Sequence, residues 1–453
     1  MTAIQNVGLT ASGHPWFGEH RLTSVAGADT IREMLRSEIR DTGWPYQPLL
    51  PAAPIALPRA SYAELFRATA ALLDLVRRTA LESAATTEGR LVAYRMPPSE
   101  YRLFLDDQFI EERYADCVTR PDIVIGPNGP MFVEFNVSGA IGGPVETHCR
   151  LEVWRKLYAD ADGRVPFGYQ DPFAVRAEMF RGLCAELSVP PRVALVGSVR
   201  DQGVESTRYF DMEAEYFNSH GLTARFFEPD DLHAAWDCPP RLRYRMGLRN
   251  FTIPDWVELG IDTGPVRAAL DHGCLLVGTQ TSTFLSSKLT LGLLSEGRPW
   301  MSAAELALVE KYVPWTRVLT DRQTTWGAKE LELVQFVVDN RELLVLKEGL
   351  GMSGRQVLIG KHTGQSEWEA AVAVAAAAGT SVVQEFVISR TCKLAMIADG
   401  ADNPHDVDIA PVFGPLLFGG RPAGLISRFF GNGSAGIVSV LGNHSCDNSV
   451  VAV

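Results

Sequence analysis

The chain has 453 residues, 46% hydrophobic and 21% charged, with 54 acidic against 42 basic side chains and a net charge of −12. That length suits two or three domains or one large composite fold, and that composition a globular protein. The acidic balance and the lack of any Lys/Arg run argue against nucleic acid and anionic membranes as partners, and the longest apolar stretch, Ala370 to Ala378, is far too short to span a bilayer.

Met1 to Leu22 carries no apolar segment of the secretory kind. Seven scattered cysteines without a CxxC pair suit reduced thiols in a cytoplasm rather than disulfides or a zinc site. The Pro-rich stretch from Pro45 to Pro58 reads as a surface-hugging extension. A helix follows, with Ser61 and Glu64 as a capping box and Leu65, Leu72, Leu73 and Val76 as its apolar stripe.

Next comes the most informative segment, Arg120 to Asn136. Two apolar runs, Ile123 to Ile125 and Met131 to Phe135, flank a Gly-Pro-Asn-Gly-Pro turn, which predicts a hairpin. If it is symmetric about Asn128, opposed residues have numbers summing to 256, so Asp122 faces Glu134 and Arg120 faces Asn136. Residues two apart share a face, so all four polar groups emerge together. Two carboxylates with Cβ atoms roughly 5 Å apart repel and need a cation. Mg²⁺ fits, since it takes one or two carboxylates and completes its shell with phosphate oxygens and water. A nearby Arg suits a phosphate fork. The hairpin by itself is also compatible with an ordinary solvent-facing polar side.

A Gly-rich loop, Ser138 to Pro144, leads into a helix from Glu146 to Tyr158. Arg192 to Gly197, a helix over Ser206 to His220, Thr223 to Phe227 and Cys274 to Val277 predict a small parallel α/β layer. Gly197 and Gly203 lack dinucleotide-fingerprint spacing. Phe284 to Leu294 reads as a helix start carrying Lys288, and Ser302 with Glu305 caps another helix. Leu343 to Lys347, the glycine loop through Gly351, Ser353 and Gly354, and Gln356 to Ile359 predict a strand–loop–strand flap, whose backbone amides can approach phosphates. A helix from Ser366 to Gly379 and a buried strand over Val382 to Val387 follow. The exit of that strand, with Gln384 and Glu385, suits an adenine edge and ribose hydroxyls. Gly431 to Val453 reads as strands and loops.

Together these segments resemble the circularly permuted branch of the ATP-grasp superfamily, the one that includes glutathionylspermidine synthase-like ligases. Arg120-Pro-Asp122 and Glu134-Phe-Asn136 are similar to its early Arg-x-Asp and Glu-x-Asn motifs. Ser287-Lys288 resembles the first ATP lysine, Leu346-Lys347 and the flap the second, and Val383-Gln384-Glu385-Phe386-Val387 the adenine hinge. Arg428 resembles a late basic residue near the phosphates. Residues 388–453 hold no Glu-x-Asn motif, as the permuted order requires. The loop after Asn136 is not the Asp-Thr-Pro type of the glutathionylspermidine enzymes, so the resemblance does not extend to glutathione or spermidine as substrates.

The resemblance implies an α/β (α+β) fold with four parts: a mainly helical N-terminal extension (1–91), a metal-binding part (92–189), a small α/β layer (190–283) and a nucleotide-clamping part (284–453). It implies an ATP-dependent, ADP-forming carboxylate–amine ligase acting through an acyl phosphate, with small-molecule acid and amine partners. Asp122, Glu134 and Asn136 would hold Mg²⁺. Arg120 and Arg428 would be catalytic. Lys288, Lys347, Gly351, Ser353, Gly354, Gln384, Glu385, Phe386 and Val387 would hold ATP, and Ser138 and Gly139 the acid. A phosphotransferase, or an inactive nucleotide-binding regulator, would use the same clamp. Oligomeric state is open, with a homodimer the commonest arrangement for such chains.

Overall fold

The computed structural model describes residues 16–18, 21–44, 46–98, 101–201, 203–204, 206–351, 357–434, 436–438 and 445–453. A six-stranded sheet forms the centre, in the order Ile55–Leu57, Cys446–Ala452, Arg421–Phe429, Val412–Phe418, Val118–Gly126 and Gly129–Val137. Its strands are antiparallel except for the first pair. Period-two alternation divides the core between its faces. Val450 joins Leu65, Leu72, Leu73 and Val76 of the helix Arg59–Leu81, whereas Val451 joins Trp154 of the helix Pro144–Tyr158. Each such aliphatic side chain contributes about 1.5–3 kcal/mol on burial.

Three local expectations are corrected. Residues 46–58 do not hug the surface: Leu49–Pro51 pairs with Cys392–Ala398, and Ile55–Leu57 enters the central sheet. The prolines bounding these short strands hide them in the sequence. The helix Arg59–Leu81 starts before Ser61, with Pro58 at its N-cap, and Glu64 accepts from Tyr312 and Lys311 instead of capping. Within the segment read as strands and loops, Cys446–Ala452 is a strand, and it is buried along its whole length despite its polar residues. It can be, because Asp447 accepts from Arg150 and Gln47, Asn448 accepts from Trp154, and Ser449 donates to the Thr147 carbonyl. The α/β layer has a fourth strand, Met246–Asn250, between Arg192–Gly197 and Leu275–Val277, with Thr223–Phe227 at the edge and all four parallel. Arg249 and Asn250 interrupt its apolar run and conceal it.

The clamp is a second antiparallel sheet, Val357–Ile359, Leu344–Glu348, Ser381–Glu385 and Thr316–Val318. The two expected strands on either side of the glycine loop are there, and residues 352–356 of the loop lie outside the described residues. Trp368 and Val372 of the helix Gln365–Ala378 are fully buried in one cluster with Leu344, Leu346 and Val383. Gly379, with φ +63°, ends that helix in the left-handed region. Phe284 to Leu294 breaks at Ser287, whose hydroxyl caps the following turn, so Lys288 opens the helix Lys288–Ser295. The Ser302/Glu305 capping box forms. All seven cysteines are free thiols. Among the described residues no helix is long and apolar enough to cross a membrane.

Candidate functional site

The hairpin Val118–Gly126/Gly129–Val137 pairs Arg120 with Asn136 and Asp122 with Glu134. Past Asp122 the register shifts by one, so that Ile123 faces Phe132 and the turn closes on two residues. Val133 is the residue left over, and its carbonyl accepts from the Lys347 ammonium at 3.1 Å. The bulge thus turns the hairpin toward the clamp.

Arg428 arrives from two strands away. It pairs with Val412, which pairs with Val124, and its guanidinium reaches Asp122 at 2.6 Å. Arg120 lies 3.5 Å from the same carboxyl oxygen, and the Asn136 amide donates to it at 3.4 Å. Burial opposes the charge on Asp122, but Arg428 and then Arg120 outweigh it and hold the carboxyl below its usual range. The stem of Arg120 runs over Gly414, where a Cβ would lie 2.9 Å from its Cδ. Burial pulls the Arg120 guanidinium down to about 10, with Arg428 adding to the effect.

The two lysines meet the hairpin from the other side. Lys288 bridges the Glu134 carboxylate at 2.9 Å and the Gly351 carbonyl at 2.7 Å. Lys347 donates to Gln384 at 2.6 Å as well as to Val133. Burial lowers its ammonium to about 8, and Lys288 pushes the same way. Val345 faces Gln384 across the ladder, so Gln384 is the diagonal neighbour of Lys347. Its Oε1 holds the lysine and its Nε2 donates to Thr316. Gln384 therefore orients Lys347. At the strand exit the Glu385 and Phe386 amides bond to the carbonyls of Trp315 and Leu343. Among the described residues no carbonyl takes the Val387 amide. The Lys361 ammonium sits 3.9 Å over the Phe386 ring.

One cavity of about 550 Å³ joins these groups. Arg120, Asp122, Glu134, Asn136, Ser138, Lys288, Lys347, Gly351, Gln384, Glu385, Phe386, Val387 and Arg428 all line it. Gly139 is not among the lining residues: it lies against the Arg249 carbonyl, where a Cβ would come within 2.2 Å. Ser353 and Gly354 fall outside the described residues. Arg249 was not singled out in the sequence. It is 5% exposed and lines the cavity, with one amino group on Gln280 at 2.6 Å and the other on Ser282 at 2.9 Å. Burial pulls it down to about 10. Among the described residues no carboxylate lies within ion-pair distance of it. An Arg closing an otherwise apolar run, Met246-Gly-Leu-Arg249, was the signal that could have found it.

Around the hairpin, four cations (Arg120, Lys288, Lys347, Arg428) surround two carboxylates (Asp122, Glu134), a formal excess of +2. A nucleoside triphosphate with one divalent ion carries a net charge of about −2, which balances it. Asp122, Glu134 and the Asn136 amide oxygen are hard donors without nitrogen or sulfur, a set that fits Mg²⁺ rather than zinc. Among the described residues no three His, Cys, Asp or Glu side chains cluster as a metal site, so a divalent ion held here would draw on Asn136 as well.

No protein-family model matches the sequence, and no curated protein matches it. Among solved structures the chain is similar to a glutathione synthetase-like effector from Globodera pallida in its apo form. The two share 12% identity over 94% of this chain and 96% of that one, with a TM-score of 0.55. The fold is thus similar to that of this glutathione synthetase-like effector. At that identity the likeness concerns the fold alone.

Proposed function

We propose that this protein is an ATP-dependent, ADP-forming carboxylate–amine ligase built on a permuted ATP-grasp core, with the hairpin preceding the clamp in the chain. The observation that carries the reading is the convergence of Arg120, Arg428, Lys288 and Lys347 on the Asp122/Glu134/Asn136 face within one cavity. An oxygen of the acid attacks the γ-phosphorus of ATP, the bond to the β,γ-bridging oxygen breaks, and ADP leaves. The amine nitrogen then attacks the acyl carbon, the C–O bond to phosphate breaks, and the amine loses its proton as the amide forms.

Lys288 and Lys347 would hold the α- and β-phosphates. Arg120 and Arg428 would neutralise the transferring phosphoryl oxygens, where charge shifts most in the transition state. Mg²⁺ on Asp122, Glu134 and Asn136 would supply charge neutralisation between the β- and γ-phosphates. The Val387 amide, which no carbonyl takes among the described residues, would be the hinge donor for the adenine edge, and Arg249 with Ser138 would hold the acid. The glycine loop at Gly351 would cover the site, because an acyl phosphate hydrolyses in water. Product formation in specialised metabolism, as a peptide or another amide, belongs to the same proposal.

The test is incubation with ATP, Mg²⁺, hydroxylamine and pooled carboxylic acids. Hydroxamate and ADP in equal amounts are expected, and a stable phosphoester instead would make the protein a kinase. One observation favours a second reading, a nucleotide binder without turnover. Asp122 and Glu134 are already paired with Arg428 and Lys288, so the site is charge-balanced in part without a metal. ATP binding independent of Mg²⁺, with no ADP released from any acid pool, would select that reading.

A further inference from the structure

Arg120 is a buried cation with little holding it. Its nearest carboxylate, Asp122, is 3.5 Å away and is gripped more closely by Arg428. Its Nε has no partner among the described residues. Among the described residues its one short bond is from Nη1 to the Gly142 carbonyl at 2.6 Å. That carbonyl belongs to the same peptide group as the Gly143 N–H, and the N–H donates to the Glu146 carboxylate at 2.8 Å. The other Glu146 oxygen accepts from the Tyr209 hydroxyl at 2.9 Å. A single peptide unit therefore lies between the arginine and a carboxylate, with its oxygen on one and its nitrogen on the other.

Three features make this arrangement specific. Gly143 has φ +116°, a conformation that a side chain would strain, and it turns the peptide so that its two ends face Arg120 and Glu146. Glu146 is 3% exposed, yet it lines the same cavity as Arg120, and so does Tyr209. A carboxylate accepting from an amide polarises that amide and strengthens its carbonyl as an acceptor. The peptide is thereby both oriented and made a better partner for the guanidinium.

We propose that Glu146, buttressed by Tyr209, is a positioning residue: through the Gly142–Gly143 peptide it aims Arg120 at the transferring phosphoryl group. The proposal rests on the ligase reading for the identity of that group. An N-terminal cap for the helix Pro144–Tyr158 is the plain alternative role of Glu146, and it affects stability only.

The experiment compares wild type, Glu146→Ala and Glu146→Gln by ADP release with ATP, Mg²⁺ and the acid found above, together with a crystal structure of Glu146→Ala. Expected are a fall in kcat of about 10²-fold for Glu146→Ala, the scale of a misplaced catalytic group, and a KM for ATP changed less than about threefold. Partial recovery is expected in Glu146→Gln, whose amide oxygen can still accept from Gly143. In an Arg120→Lys background the Glu146 effect should largely vanish, since residues acting as a unit are not additive. In the crystal structure Arg120 should have left the Gly142 carbonyl. Arg120 unmoved, or a lower melting temperature with kcat unchanged, overturns the proposal. Because the structural readout needs no turnover, it decides the matter even if wild type releases no ADP, an outcome that would sink the ligase reading alone.

Discussion

The hairpin and the clamp face each other across one cavity, yet they handle charge in opposite ways. On the hairpin side Asp122 and Arg428 are bound at 2.6 Å within one continuous sheet, both mostly buried. On the clamp side Lys347 is as buried but among the described residues has only neutral acceptors, Gln384 and the Val133 carbonyl, and its ammonium is weakened to about 8. A paired charge keeps a site in shape; an incompletely neutralised one is left to be completed by a ligand. The two halves meet through lysines, Lys347 on Val133 and Lys288 between Glu134 and Gly351. Those are the contacts that phosphate oxygens would compete for.

The sharpest break in this comparison comes from Glu134, which belongs to the hairpin but holds a lysine that also ties the clamp loop. Glu134→Ala should lower ATP turnover by about 10³-fold or more while thermal unfolding shifts little, as measured by coupled ADP release and calorimetry. Near wild-type turnover would remove the metal assignment. Next, Arg428→Ala leaves Asp122 buried beside a more distant Arg120. Loss of one partner of a buried pair costs about 3–5 kcal/mol, and the residual Arg120 contact places the expectation at the lower end. Urea unfolding measures it, and a loss under about 1 kcal/mol would mean the pair is not structural.

Lys347 gives a smaller, pH-dependent effect. Its folded pKa lies below its ordinary 10.5, so the cost of burying its charge is felt fully below pH 8 and fades as pH rises toward 10.5. The free protein is therefore relatively favoured at higher pH by this group. Phosphate binding needs the charged form, so ATP affinity should fall above pH 8 by up to about tenfold per unit, with proton uptake on binding near pH 8–9. Titration calorimetry in buffers of different ionisation enthalpy reads both, and an affinity flat from pH 7 to 9.5 would contradict the account. Smallest is Gly414→Ala, whose added Cβ presses on the Arg120 stem. About 1–3 kcal/mol of overpacking is expected, with kcat reduced several-fold and KM for ATP nearly constant.

Much of this site was legible because it is local. The Gly-Pro-Asn-Gly-Pro turn and the period of two place Asp122 opposite Glu134 without knowledge of the rest of the chain, and only the one-residue shift beyond them was beyond reach. The flap strands flanking Gly351 were legible for the same reason. Arg249 was not, because a buried guanidinium on Gln280 and Ser282 looks in sequence like an interruption of a strand. Glu146 reads as an ordinary first-turn acid, and its link to Arg120 depends on Gly143 turning one peptide.

By itself the sequence determined the hairpin pairing, the lysine-bearing strand and helix and most of the α/β layer. These follow from side-chain periodicity and turn chemistry acting over a few residues. Tertiary structure alone decided that Leu49–Pro51 and Ile55–Leu57 are strands, that Cys446–Ala452 is wholly buried, that Arg428 reaches Asp122 from two strands away, and that Gln384 holds Lys347 beside the Val133 carbonyl. Those contacts join residues from 37 to 306 positions apart or more. Their partners are chosen by which polar groups must be satisfied once the sheets have closed over them.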